Sequence, residues 1–90
     1  MVARIHTTGF LTVPENAPSA AELKAITKNS TVKVAHNGER FWTVVTKVGP
    51  QGITAFVDNV LVGRHPFKAG DLIRFQPKNV YDIHDAMYPG

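Results

Sequence analysis

The dipeptide Asn37-Gly38, set between two runs of β-branched and aromatic residues, constrains this chain more than any other feature. Asn-Gly flanked by alternating apolar residues is a strong local hairpin signal, because both residue types accept positive φ. Thr31-Val32-Lys33-Val34-Ala35 enters the turn, and the strand from Arg40 to Val48 leaves it. Two loop lengths compete. A two-residue Asn37-Gly38 turn pairs Lys33 with Trp42 and sets Val32 opposite Thr43. A three-residue loop with Gly38 in the left-handed conformation pairs Val34 with Arg40 and Val32 with Trp42. A one-residue slip flips every side chain to the other face. Only the longer loop puts both valines and Trp42 together, so burial predicts that loop, with a glycine bulge. Trp42, Val44 and Val48 then face inward, and Phe41, Thr43, Val45 and Lys47 face outward.

Further turn signals divide the rest of the chain. Gly49-Pro50-Gln51-Gly52 ends the second strand, with Pro50 fixing φ. Ile53–Val57 reads as a strand and Asp58-Asn59 as a turn. Val60-Leu61-Val62 reads as a short fourth strand, and Gly63 to Phe67 as a loop. Lys68-Ala69-Gly70-Asp71 turns the chain into Leu72-Ile73-Arg74-Phe75, and Val80–Ile83 is a last strand. Near the start, Phe10–Val13 is a first strand or extended arm. Ser19-Ala20-Ala21-Glu22 is a capping box opening a helix over about 19–29, which Asn29 ends. Leu23 and Ile26 share its apolar face. Short strands at 8–12 residue spacing predict an α+β, mainly β fold. The expected form is a small five- or six-stranded antiparallel barrel or strongly bent sheet with one N-terminal helix.

At 90 residues the chain is expected to form a single domain. Residues 1–18 are its arm and loop, 19–29 its helix, 31–84 its barrel and 85–90 a frayed tail. No apolar run approaches the roughly 20 residues of a membrane span. The first residues lack the pattern of a signal peptide. With no cysteine, disulfides, thiolate metal sites and cysteine nucleophiles are excluded, and a reducing, cytoplasmic setting fits.

Charge is unevenly placed. The whole chain carries +3, whereas residues 24–78 hold nine bases against Glu39, Asp58 and Asp71. A basic stretch of this kind is either a solvated surface or a face for an anionic partner. Lys33, Arg40, Lys47, Arg64 and Arg74, with Phe41 as the stacking aromatic, form the candidate binding set. The competing reading has Phe41 covered by the helix, whose Leu23 and Ile26 need a partner.

No catalytic set is expected. His6, His36, His65 and His84 lie in separate elements without metal-ligand spacing, and read as surface or turn histidines. Asp82 and Asp85 beside His84 read as a local salt contact. Ser19 is used as a helix cap, and no glycine-rich phosphate loop precedes a helix. No metal or cofactor is expected.

Four segments in order carry a family likeness: Asn37 to Val45, Val57-Asp58-Asn59, Phe67 to Phe75, and Asn79 to Ile83. This pattern resembles the uncharacterised bacterial domain family typified by YegJ-like proteins, over about residues 31–84. The resemblance implies a small, mainly β domain and brings no catalytic residues. It implies that Asp58-Asn59 and Gly70-Asp71 define turns, and the hairpin reading makes Gly38, Trp42 and Val44 structural positions. The leading expectation is a non-enzymatic binding module acting through its outer β surface. A protein-interaction or inhibitor domain, of the kind bacterial accessory or mobile-element genes encode, is the first form. A nucleic-acid-binding barrel is the second. A small enzyme with a site at an oligomer axis is the alternative from another class.

Overall fold

A computed structural model describes residues 5–7 and 11–84. The predicted frayed tail, Asp85 and Phe10 lie outside the described residues. The elements are β1 (Ile5–Thr7), α1 (Ala20–Lys24), β2 (Thr31–His36), β3 (Glu39–Gly49), β4 (Gly52–Val57), β5 (Leu72–Phe75), a 3₁₀ turn (Pro77–Asn79) and β6 (Asp82–His84). Together the strands make one six-stranded sheet in the order β1-β5-β4-β3-β2-β6. The five neighbouring pairs in this order are four antiparallel ladders and one parallel ladder, β1 on β5. The sheet is therefore mixed. Among the described residues no ladder joins β1 to β6, so the expected closure into a barrel is not seen.

The β2–β3 hairpin uses the shorter loop. His36 pairs with Glu39, Val34 with Phe41, Lys33 with Trp42 and Val32 with Thr43. Asn37 has φ 53° and Gly38 φ 83°, the two left-handed residues that a two-residue hairpin turn requires. The expected glycine bulge and inward Trp42 are thus corrected. Turn geometry fixed the register, and burial followed with Phe41, Thr43 and Val45 inside in place of Trp42, Val44 and Val48. A bulge does occur further on, where the β3–β4 register shifts between Val45 and Lys47.

The core lies on one face of the sheet. Val32, Val34, Phe41, Val45, Ile53, Ala55, Val57, Ile73 and Phe75 project into it from the strands. Leu11, Ile26, Phe67 and Val80 cover them from the connecting segments. Burying an aliphatic or aromatic side chain of this size contributes about 1.5–3 kcal/mol.

The helix keeps its predicted start. Ser19 accepts from the Glu22 amide at 3.1 Å, and Glu22 Oε1 accepts from the Ser19 amide at 3.0 Å. It is shorter than expected, ending at Lys24, and Ile26 beyond it carries the buried contact. Asn29, at φ 78°, then turns the chain, and its amide donates to the Val45 carbonyl at 2.7 Å. Two other expectations change. Phe10–Val13, expected as a first strand or an extended arm, forms no strand over its described residues 11–13; Leu11 is buried in the core, and the Thr12 amide donates to the Ala35 carbonyl at 3.0 Å. Val60–Val62 is loop, with Val60 86% and Val62 94% exposed. Those residues have no strand to pair with, and the Val62 amide is taken by a side chain.

Candidate functional site

Paired residues in adjacent strands share a face, as do residues two apart along one strand. The ladders can therefore be read across the sheet. Lys33 pairs with Trp42, which stands on the same side as Arg40 and Val44. Val44 pairs with Phe56, and Phe56 with Leu72. Thr54 pairs with both Lys47 and Arg74. Lys33, Arg40, Lys47 and Arg74 thus project from one face, the face opposite the core. Within the ladders, Asp82, paired with Lys33, is the one acidic residue on that side.

This face is aromatic as well as basic. Trp42 and Phe56 are half-buried on it, with Val44 between them and Leu72 on the far side of Phe56. The Lys33 ammonium lies 4.9 Å from the Trp42 ring centroid. The Arg40 guanidinium lies 5.1 Å from the ring of Tyr81, whose amide donates to the Lys33 carbonyl at 2.8 Å. Such cation–π contacts orient a long basic side chain over a ring. Along β3, Arg40 and Lys47 are roughly 23 Å apart at about 3.3 Å per residue.

Two hollows interrupt the face. One, of about 370 Å³, is lined by Thr31, Trp42, Asp58, Asn59 and His84. The Trp42 amide donates to Asn59 Oδ1 at 2.6 Å, and the Asp58 amide donates to the Trp42 carbonyl at 2.9 Å. Asn59 therefore serves as a turn residue that pins the strand beside Trp42. His84 meets the Trp42 ring edge-on at 6.2 Å. The second hollow, of about 210 Å³, lies between Lys47 and Arg74 at the β3–β4 turn. Arg74 Nε donates to Thr54 Oγ1 at 3.4 Å.

Two predicted binding residues fall elsewhere. Phe41 is 2% exposed and packs on the core face against Phe67 and His65. It is covered, as one of its two readings held, although its ring neighbours come from the 58–71 loop. Arg64 lies in that same loop, which covers the core face, and its carbonyl accepts from Asn37 Nδ2 at 3.2 Å. The aromatic rings on the face that carries the bases are those of Trp42 and Phe56 in place of Phe41. The signal for it was the two-residue turn, which exchanges the two faces of β3. Gly70, at φ 90°, and Asp71, whose Oδ2 accepts from the Lys68 amide at 3.0 Å, form the predicted turn into β5.

The histidines depart furthest from expectation. His36 Nδ1 lies 2.7 Å from His65 Nδ1, and His65 Nε2 lies 2.8 Å from Glu39 Oε1. The His65 side chain is fully buried. Glu39 also accepts from the amides of Val62 at 2.8 Å and Gly63 at 2.7 Å. Those amides and His65 hold its carboxyl far below the usual range, to about 2. Burial, and then the charge of His65, pushes the His36 imidazole down. His6 reaches the other side of Phe67 and lies 3.6 Å from Asp71. Among the described residues no group of three or more His, Asp or Glu has the arrangement of a metal site.

Compared with protein-family models, curated proteins and solved structures, the chain matches none. The reading below therefore rests on the residues themselves. Among the described residues no helix is long and apolar enough to cross a membrane.

Proposed function

We propose that the chain is a non-enzymatic binding module whose outer sheet face takes single-stranded nucleic acid. One observation carries this: the register sets Lys33, Arg40, Lys47 and Arg74 on one face with Trp42 and Phe56. Single strands are bound by basic residues that follow the backbone and by aromatic rings on which bases stack. In this reading, Trp42 and its adjoining hollow receive a base. Lys47 and Arg74 receive phosphate at one end of the face, and Arg40 does so at the other. The zero-cysteine composition supports a cytoplasmic setting. The likeness to the YegJ-like family stays a proposal beside this reading and supplies no site residue.

The test is binding of a labelled single-stranded oligonucleotide, followed by fluorescence anisotropy across a salt series. Each phosphate contact on a single strand contributes a slope of about −0.7 in log K against log salt, so the three phosphate-binding side chains Arg40, Lys47 and Arg74 predict about −2. Reversing Lys47 and Arg74 to Glu is expected to reduce affinity and flatten that slope. Absent binding, or binding indifferent to salt, would overturn the reading.

A protein contact is the second reading, and the exposure of Val60 and Val62 in one loop favours it. Its signature is a partner whose capture from host extract is lost on Val60→Ser and Val62→Ser and survives charge reversal at Lys47 and Arg74.

A further inference from the structure

The hollow beside Trp42 holds hydrogen-bonding groups that phosphate contacts and ring stacking do not use. Its walls are Thr31, Trp42, Asp58, Asn59 and His84. Asp58 stands one residue beyond the last rung of the β3–β4 ladder, Thr43–Val57, and so falls level with Trp42. Strand alternation turns it outward, since Val57 before it is buried in the core. Thr31 and His84 are paired across β2 and β6 and close the other side.

The hydrogen bonds of this turn decide which atoms are left over. The Asp58 amide donates to the Trp42 carbonyl at 2.9 Å, and the Trp42 amide donates to Asn59 Oδ1 at 2.6 Å. A backbone N–H needs an acceptor, so the second contact also orients the Asn59 head group. Its oxygen faces Trp42, and its NH2 is left to donate elsewhere. Among the described residues, neither that NH2 nor the Asp58 carboxylate has a partner within the chain. Both residues are exposed. The hollow therefore presents two carboxylate oxygens and one amide donor beside an indole ring.

A carboxylate on a phosphate-binding face repels the strand and lowers affinity unless the ligand donates to it. Phosphates bring no donor, and the N–H groups of a nucleic acid are on its bases. Guanine offers two adjacent donors, N1–H and N2–H, next to the acceptor O6. Adenine and cytosine each offer one amino group beside a ring nitrogen that accepts. Thymine and uracil offer one N–H between two carbonyl oxygens. A carboxylate accepts a pair of parallel donors, so it matches guanine among these, and the adjoining Asn59 NH2 matches O6. With any other base, one carboxylate oxygen faces an acceptor. An arginine side chain carries a similar donor pair, but Lys33, Arg40, Lys47 and Arg74 on the same face repel a cationic segment.

We propose that the Trp42 hollow selects guanine within a bound single strand. The base lies against Trp42, the Asp58 carboxylate accepts from N1–H and N2–H, and Asn59 Nδ2 donates to O6. This rests on the strand-binding reading of the face and adds a base preference to it. The preference belongs to Asp58 and Asn59; the affinity common to all strands belongs to the basic side chains and the rings.

The experiment measures binding of the whole chain to labelled thymidine oligonucleotides by fluorescence anisotropy. The strands differ at one central position, which holds guanine, adenine, cytosine or hypoxanthine. A bidentate base contact predicts that the guanine strand binds about 5- to 150-fold more tightly than the adenine or cytosine strand. Hypoxanthine keeps N1–H and O6 but lacks the N2 amino group, so its strand should fall between. Asp58→Asn is expected to abolish the preference while keeping or strengthening binding of the all-thymidine strand, because a negative charge leaves the face. Asn59→Asp keeps an oxygen for the Trp42 amide and removes the donor to O6, so it too should lose the preference. If a variant does not fold, the four strands on the unsubstituted chain decide alone. Guanosine monophosphate has the same base edge on a single phosphate and should compete far less well than the strand; equal competition would overturn the strand as the source of the base. Equal affinity for all four strands, with salt-dependent binding intact, would overturn the guanine preference and leave the basic face standing. If no strand binds, or an arginine-bearing peptide quenches Trp42 where strands do not, both readings fall together.

Discussion

Lys33 and Trp42 face each other across β2 and β3, with the Lys33 ammonium 4.9 Å from the centre of the Trp42 ring. This pair exists because the hairpin turns in two residues. It places the one tryptophan of the chain on the open face beside a base. Exposed cation–π pairs contribute about 0.5–1 kcal/mol. Lys33→Met is thus expected to lower stability by less than about 1 kcal/mol while shifting Trp42 emission. Urea unfolding followed by fluorescence checks both.

The two hairpin glycines differ in what a side chain would meet. At Gly38, with φ 83°, a Cβ has nothing within 4 Å, so Gly38→Ala carries only the backbone cost of about 1–2 kcal/mol. At Gly52, with φ 121°, a Cβ would sit 2.6 Å from the Phe75 carbonyl oxygen, in the β4–β5 ladder. Gly52→Ala is expected to cost more, and the order of the two urea midpoints tests the difference.

Asn79 joins distant parts of the chain. It is 2% exposed, its Nδ2 donates to the Leu11 carbonyl at 3.1 Å, and its Oδ1 accepts from the Gln76 amide at 3.0 Å. Asn79→Ala strips partners from two backbone groups, one of them in the core. The expected loss is about 1–3 kcal/mol, the cost of one orphaned buried group, because only the Leu11 carbonyl is buried and the Gln76 amide can turn to water. Calorimetry should show a lower Tm with the fold retained.

Acid should reveal the Glu39 clamp. Its carboxyl is held at about 2 in the folded chain against 4.5 ordinarily, first by the Val62 amide, then by His65 and the Gly63 amide. Between those values the unfolded chain binds more protons, so stability falls as pH drops through the window. Glu39→Gln removes that titration. Urea midpoints measured from about pH 5 to pH 2 should therefore fall more steeply for the unsubstituted chain than for the variant.

Much of the strand layout was legible from turn chemistry. Asn37-Gly38, Gly49 to Gly52 and Gly70-Asp71 each fall where the chain turns. The hairpin register follows the paired positive φ values of Asn37 and Gly38 and overrides the burial of Trp42 that the apolar pattern predicts. Phe41 fills the core instead, matched by Phe67 from 26 residues further along. The parallel pairing of β1 on β5 joins Ile5 to Leu72, and nothing local in either segment announces it. Val60–Val62 has the composition of a strand and lacks a neighbouring strand, so its backbone serves the Glu39 carboxylate. The four bases of the site were legible as a set, but their common face follows from register alone. The His36–His65–Glu39 cluster depends on contacts 29 and 26 residues apart, a distance that motif spacing does not reach.

The most direct test of the basic-aromatic face uses Trp42 itself, since no other tryptophan contributes to the emission. Titrating the chain with an unlabelled single-stranded oligonucleotide at low salt should quench Trp42 fluorescence saturably. Raising the salt should reverse the quenching, and Lys47→Glu with Arg74→Glu should weaken it. Base stacking contributes about 1–3 kcal/mol per ring, so Trp42→Ala should lower affinity by about 5- to 150-fold in a labelled-strand assay. Unchanged Trp42 emission at saturating oligonucleotide, or an undiminished affinity in Trp42→Ala, would contradict the account.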